Sequence, residues 1–275
     1  MARHVGAGGG ACCRKWVRYC VHLLLGRWLT LPYAGDMADT AAPSIDPVRF
    51  EVPLYTLAEG ARYLRVRPTT FSTWAQGYRR HPPGRSAVKA GPIITATKGK
   101  RGEPRLPFVG LAEAHVVAAL RRGLGEQPVS LQRIRHAVGM LRQELGVEHA
   151  LAQRSLYTDG AQLLYAYDEA AGGGELAGLT ELVSGQRVFR EVVRDYLKRI
   201  TYGDDGWAAR LQLPETDLLE VDPHVGFGRP LLVGYGVPVE AARARIRAGE
   251  SAEDVADDFE VPVALLNEAS QALAD

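Results

Sequence analysis

Residues 55–76 read YTLAEGARYLRVRPTTFSTWAQ, and this stretch decides the fold of the N-terminal half of the chain. Thr56 and Glu59 have the spacing of a capping box, in which each side chain accepts a hydrogen bond from the other residue's backbone amide at a helix start. Pro68 suits the first turn of a second helix, because the backbone amide that proline lacks would have no helical partner there. The stretch therefore predicts two short helices joined by a tight turn.

The second of these helices has two different faces. Its apolar residues Phe71 and Trp74 have helical spacing, and we expect them to pack on the apolar face of the first helix. The polar side chains left outward are Thr69, Thr70, Thr73 and Gln76. A helix pair with this division is typical of a helix-turn-helix, whose second helix places side chains against base edges of DNA. An αα-hairpin inside a larger core is the alternative interpretation.

Basic residues are concentrated directly after the helix pair. Between residues 79 and 105 only Glu103 is acidic. The cations there are Arg79, Arg80, Arg85, Lys89, Lys98, Lys100, Arg101 and Arg105. Two strand-like runs, 92–97 and 105–109, flank a basic glycine turn and predict a β-hairpin with a positive tip. Such a wing contacts phosphates beside the groove, although a charged loop can also be solvated only. Together with Arg67 and the polar residues of the second helix, these cations are our predicted DNA-binding residues.

Residues 55–122 resemble the MerR/excisionase-like winged helix-turn-helix and, more narrowly, the N-terminal domain of VapB45-type antitoxins. The resemblance is carried by YTLAEGARYL (55–64), RPTTFSTW (67–74) and RLPFVGLAEAHV (105–116). It implies that Thr69, Thr70 and Thr73 face double-stranded operator DNA. It also implies that the protein occludes a PIN-domain ribonuclease toxin. The metal-sensing part of MerR proteins has no counterpart, because this region contains no cysteine.

A second pattern covers residues 222–270. GRPLLVG (228–234) predicts a strand between two glycines, and three short helices follow, the second capped by Ser251. This stretch resembles the DUF433 family, although Tyr235 stands where that family usually has Thr-Arg after the second glycine. The acidic residues of its second helix region are Glu253, Asp254, Asp257, Asp258 and Glu260. They would repel phosphate, which favours a protein partner over a second DNA segment. A structural bundle with a solvated acidic face is the third interpretation.

Composition restricts the other function classes. The formal net charge is +1, so no overall field attracts nucleic acid or membrane, and the chain beyond residue 20 has no cysteine for a disulfide framework. The apolar run at 16–31 is too short and too interrupted by charge for a membrane span. We expect an over-long gene start with Met37 as the initiator; a targeting segment and a disordered arm are the alternatives. Cysteine usage fits a cytoplasmic protein.

The sequence shows no arrangement of residues that is typical of a catalytic site. The seven histidines are scattered without metal-ligand spacing, and only His224, near a group of glycines, suggests closer inspection. Gly226-Phe227-Gly228 does not complete a dinucleotide-binding motif. The sequence therefore predicts no enzyme activity, no cofactor and no metal site.

These observations predict a mainly α chain with short β elements (α+β). We expect a leader and linker over 1–52, a winged helix-turn-helix over 53–125, a mixed central region over 126–220 for dimerisation or partner binding, and a trihelical DUF433-like module over 221–275. The helices within 111–145 are the expected homodimer element. The predicted function is a type II antitoxin that represses its own operon and neutralises its toxin. The alternative is a plain MerR-like transcription factor whose central region binds a small effector.

Overall fold

The computed structural model describes residues 46–81, 84, 87–122, 131–146, 148–154, 195–214 and 216–273. The predicted leader, Arg85, the Arg80 side chain and a large part of the predicted central region lie outside this description. The described chain mixes helices with short strands, which confirms the α+β class.

The two N-terminal helices lie where the sequence places them. After helix α1 (Pro47–Phe50) and strand β1 (Pro53–Tyr55), helix α2 covers Leu57–Tyr63 and helix α3 covers Pro68–Gln76. The amide of Glu59 donates to the Thr56 hydroxyl over 3.1 Å, and the amide of Thr56 donates to the Glu59 carboxylate over 2.8 Å. Both halves of the predicted capping box are therefore present.

The strand pairing after α3 differs from the predicted hairpin. Strand β2 (Tyr78–Arg80) pairs antiparallel with β3 (Val88–Ala90), whereas β4 (Leu106–Pro107) pairs with β1. Residues 92–97 form no strand, because Ile93 and Ile94 are both buried and both donate their amides to the Trp74 carbonyl of α3, over 2.8 and 3.3 Å. Two consecutive buried residues are incompatible with the alternating faces of a wing strand.

Two longer helices follow the N-terminal unit. Helix α4 (Phe108–Arg122) is buried at every position from 108 to 120, including the polar Glu113 and His115. This stretch of α4 thus leaves little surface for a second copy, so within 111–145 the expected dimer contact would fall on helix α5 (Leu131–Leu145). A short 3₁₀ helix, Ala150–Ala152, packs against both.

A five-stranded antiparallel meander is formed by strands within residues 200–238. Its strands run in sequence order: β5 (Ile200–Tyr202), β6 (Ala208–Gln212), β7 (Leu219–Val221), β8 (Leu231–Leu232) and β9 (Val237–Pro238). Arg49 of α1 is bonded to the β5–β6 turn through the Asp205 carboxylate and the Ala208 carbonyl. This buried guanidinium fixes the sheet to the N-terminal end of the described chain.

Three helices end the described chain: α6 (Val239–Arg247), α7 (Ala252–Asp258) and α8 (Val263–Ala272). They lie at the predicted positions, with Ser251 capping α7. Their grouping into a separate domain, like the other predicted domain boundaries, stays a prediction. One continuous apolar core runs from α1 to α8.

The α7–α8 pair repeats the backbone geometry of the α2–α3 pair. Each first helix has seven residues, and the turn after it contains a residue with positive φ: Arg65 at 52° and Glu260 at 55°. The amide of the following valine, Val66 or Val261, donates back to the carbonyl five residues earlier over 2.9 Å in both cases. The chain thus contains two helix-turn-helix units of matching turn geometry.

Candidate nucleic-acid interface

Helix α3 is fixed on α2 by close apolar packing. Phe71 and Trp74 are fully buried between the helices and the chain that follows. A Cβ atom on Gly60 of α2 would lie 2.7 Å from a Leu106 methyl carbon and 2.8 Å from the Phe71 ring. Only glycine permits this approach, so the orientation of α3 depends on Gly60.

The outward face of α3 carries the predicted polar residues. Arg67, Thr69 and Gln76 are exposed, and Thr70 and Thr73 are partly buried. The Thr73 hydroxyl donates to the Thr70 carbonyl over 2.7 Å, so its oxygen can still accept a hydrogen bond. The sequence from 60 to 102 contains no acidic residue, so this stretch itself carries no negative charge that would repel phosphate. DNA contact by these side chains stays a prediction.

Hairpin β2–β3 begins directly at the end of α3. Gly77 makes the connection with φ of 71°, and a Cβ atom there would lie 2.2 Å from the Ala90 carbonyl oxygen, so this position requires glycine. Arg79 and Lys89 stand directly opposite each other across the hairpin, and both are exposed. Like charges in this arrangement destabilise a hairpin by themselves. An anionic partner such as DNA phosphate would be attracted by both cations and would offset their mutual repulsion.

The predicted basic tip is a closed loop over residues 98–104. The Thr97 amide donates to the Arg105 carbonyl over 2.8 Å, and Arg105 Nε donates to the Thr97 carbonyl over 3.1 Å. Lys98, Lys100 and Arg101 are exposed on the loop. Arg105 is partly buried, and one edge of its guanidinium is used in closing the loop. Apart from Arg67 at the start of α3, the predicted cations that the structure describes thus lie on this loop and on hairpin β2–β3.

Polar anchors behind the interface were missed by sequence reasoning. Glu113 of α4 is fully buried; it accepts the Thr95 amide over 2.6 Å and lies 3.3 Å from His149 Nδ1. From α5, Arg135 donates to the Gly91 carbonyl over 2.9 Å. These bonds hold the chain between the hairpin and the loop. A lone carboxylate inside the apolar run FVGLAEAHVV was the signal that could have revealed the first anchor, since a buried charge requires partners.

The two helix-turn-helix units have opposite charge. The α7–α8 unit carries the predicted acidic residues of α7, together with Glu268 on the exposed side of α8. Phosphate would be repelled there and attracted to the α2–α3 unit. Electrostatics therefore favour the N-terminal unit as the DNA-reading one.

His224 has a structural partner. Its Nε2 lies 2.7 Å from an Asp46 carboxylate oxygen. Although burial raises the pKa of Asp46, hydrogen bonds from His224, the Val48 amide and Arg49 outweigh it and lower that pKa. Within the described ranges, no three or more His, Cys, Asp or Glu side chains are grouped as metal ligands. None of the helices described has the length and hydropathy of a membrane span.

Comparison with known proteins agrees with this geometry. A family model described as "Putative DNA-binding HTH domain" matches residues 53–138. The protein described as "Putative antitoxin VapB45" from Mycobacterium tuberculosis (strain ATCC 25618 / H37Rv) is 43% identical over 235 residues, which are 82% of this chain and 96% of that protein. The crystal structure of Rv2018 from Mycobacterium tuberculosis is 38% identical with a TM-score of 0.63, and the match covers 82% of this chain and 100% of that one.

Proposed function

This chain belongs to the family of the antitoxin VapB45, and on that premise we propose that it is a cytoplasmic antitoxin that binds operator DNA. Helix α3 enters the major groove and reads bases through Thr69, Thr70, Thr73 and Gln76. Hairpin β2–β3 and the loop at 98–104 hold the phosphates on either side. In this assignment the α2–α3 unit and its hairpin are a MerR-like winged helix-turn-helix.

One observation carries the proposal: exposed Arg79 and Lys89 are held opposite each other beside a helix that lacks acidic residues. In the free protein these two like charges repel each other across the hairpin. Binding to a polyanion removes the repulsion and releases counterions from the DNA.

The finer parts of the proposal concern partners. We propose that the protein represses its own operon as a homodimer, because two copies of α3 then match a two-fold operator. A PIN-domain ribonuclease is the proposed toxin, occluded by the central region or by the DUF433-like helices α6–α8. The protein itself has no catalytic role in this scheme: the buried Glu113 and the partly buried His149 both contact Thr95 and serve to hold it in place.

A coupled experiment in a heterologous host tests both activities. The DNA upstream of the gene drives a reporter, and the reading frame next to the gene is expressed from an inducible promoter. We expect the full chain to lower reporter output and to restore growth when the neighbouring product is toxic. A variant with Thr69→Ala and Gln76→Ala should lose repression but keep rescue, because the two activities use different surfaces. Repression without any toxic neighbour would leave a plain transcription factor and refute the antitoxin assignment.

A further inference from the structure

A cleft with a volume of about 490 Å³ lies between α2 and α6. Four arginines line it: Arg62 from α2, Arg229 before β8, and Arg243 and Arg247 from α6. Glu240 is the one acidic residue in the lining, so the walls carry three positive charges in excess. Such a concentration of guanidinium groups is unfavourable without an anion.

Glu240 organises one side of this cleft. One of its carboxylate oxygens accepts Arg62 over 2.9 Å, and the other accepts Arg229. These bonds raise the pKa of both guanidinium groups against the opposing effect of burial. A single carboxylate thus holds two arginines together, and both of them line the cleft.

Helix α6 supplies the other side. Arg243 and Arg247 follow Glu240 at helical spacing on one face, and no carboxylate among the described residues is paired with either. Arg245 belongs to the opposite face, where it pairs with Glu250 and Asp258. Helix α6 therefore separates an arginine side from the acidic side of α7. The repulsion of phosphate expected from the acidic residues of α7 does not extend to this cleft.

We propose that this cleft binds the phosphate groups of a phosphodiester or polyphosphate ligand, and that in the DNA complex the ligand is the backbone that flanks the segment read by α3. Planar guanidinium groups match phosphate oxygens in pairs, and four of these groups line this one cleft. Arg62 lies on the first helix of the helix-turn-helix, the helix that crosses the DNA backbone in such complexes. The assignment to DNA rests on the proposed function, whereas the phosphate chemistry does not.

The salt dependence of DNA binding tests the backbone assignment. The full chain with Arg243→Gln and Arg247→Gln is titrated against a nonspecific duplex of about 20 bp between about 50 and 200 mM salt. One or two lost phosphate contacts should reduce the slope of log K against log salt by about 0.9–1.8. The factor by which affinity falls over this salt range should then be about 3 to 12 times smaller than in the wild type. Arg245→Gln, which removes one positive charge from the other face of α6, is the control and should leave the slope unchanged.

Calorimetry with inorganic pyrophosphate tests the cleft without DNA. We expect the wild-type chain to bind pyrophosphate and the double variant to have lost binding, while thermal melting shows both folded. A change in both assays supports the DNA backbone as the ligand; loss of pyrophosphate binding alone supports a free phosphorylated ligand. Unchanged DNA slopes together with no wild-type pyrophosphate binding, or with binding kept in the variant, overturn the proposal. A wild-type chain that binds pyrophosphate but no duplex contradicts the proposed function and leaves the phosphate cleft standing.

Discussion

Replacing Arg79 and Lys89 by glutamine should raise stability and weaken DNA binding at the same time. The two residues are exposed and directly opposite on β2–β3. Relief of the like-charge pair should stabilise the fold by about 0.2–1 kcal/mol, which raises the melting temperature by about 1–3 °C. Each phosphate contact adds about 0.9 to the salt slope, so losing two reduces the slope by about 1.8. The factor by which affinity falls between about 50 and 200 mM salt should then be about 12 times smaller than in the wild type.

Fluorescence anisotropy with two labelled duplexes, the upstream DNA of the gene and an unrelated sequence, measures these effects alongside thermal melting. Both duplexes should lose affinity equally, because phosphate contacts carry no sequence information. Lys198→Gln with Arg210→Gln removes the same charge near β5 and β6 and should leave the slope unchanged. An unchanged slope in the Arg79/Lys89 variant would refute phosphate contact by the hairpin. A lowered melting temperature would refute the repulsion argument.

Three further changes test separate parts of the structure. Gly60→Ala forces a methyl group against Leu106 and Phe71, so stability should fall by about 1–3 kcal/mol in a denaturant titration and sequence-specific binding should weaken as α3 shifts. Thr73→Ala should reduce the preference for operator over unrelated DNA about fivefold, or about 1 kcal/mol, with nonspecific affinity kept; an equal loss on both duplexes would contradict base reading. Arg49→Met should cost about 2–3 kcal/mol, less than the removal of a partner from a fully buried pair, because about a quarter of the Asp205 side chain is exposed. Since Arg49 lowers the pKa of Asp205, their pair stabilises the fold above the unfolded pKa of about 3.8 and loses this effect as pH falls through the folded value. Melting curves of Arg49→Met should therefore depend less on pH below about 4 than those of the wild type; an identical acid dependence would contradict the pair's role.

The helix-turn-helix could be predicted from sequence because its signals are local. Thr56 and Glu59 are three residues apart, and Pro68 acts on its own turn, so no distant contact was needed to place α2 and α3. The same holds for Ser251 and α7. At α2 and α7 the capping side chain accepts a hydrogen bond from a first-turn amide that has no partner within the helix.

The hairpin was misplaced because a tertiary contact decides it. Ile93 and Ile94 have high strand propensity, but the Trp74 carbonyl and the core bind them as an irregular segment. Strands β2 and β3 have mostly charged or exposed residues and show no alternating pattern that would predict them.

The arginine cleft could not be predicted for a different reason. Arg62 and Glu240 are 178 residues apart in sequence, and they meet only because α6 packs beside α2. Each arginine alone looks like an ordinary surface cation. The same limit applies to Glu113, whose partner His149 comes from beyond α5. Side chains that meet through packing of distant elements leave no periodic signal in the sequence.

The most direct test of the central claim compares the two helix-turn-helix units of one chain. Gln76 and Gln271 are both exposed and lie at the same distance from the positive-φ residue of their turns. The measurement is the ratio of affinities for the upstream duplex and its shuffled sequence. Thr69→Ala with Gln76→Ala in α3 should reduce this ratio to near one, whereas Asn267→Ala with Gln271→Ala in α8 should leave it unchanged. A ratio near one in the α8 variant, with an unchanged ratio in the α3 variant, would contradict DNA reading by the N-terminal unit.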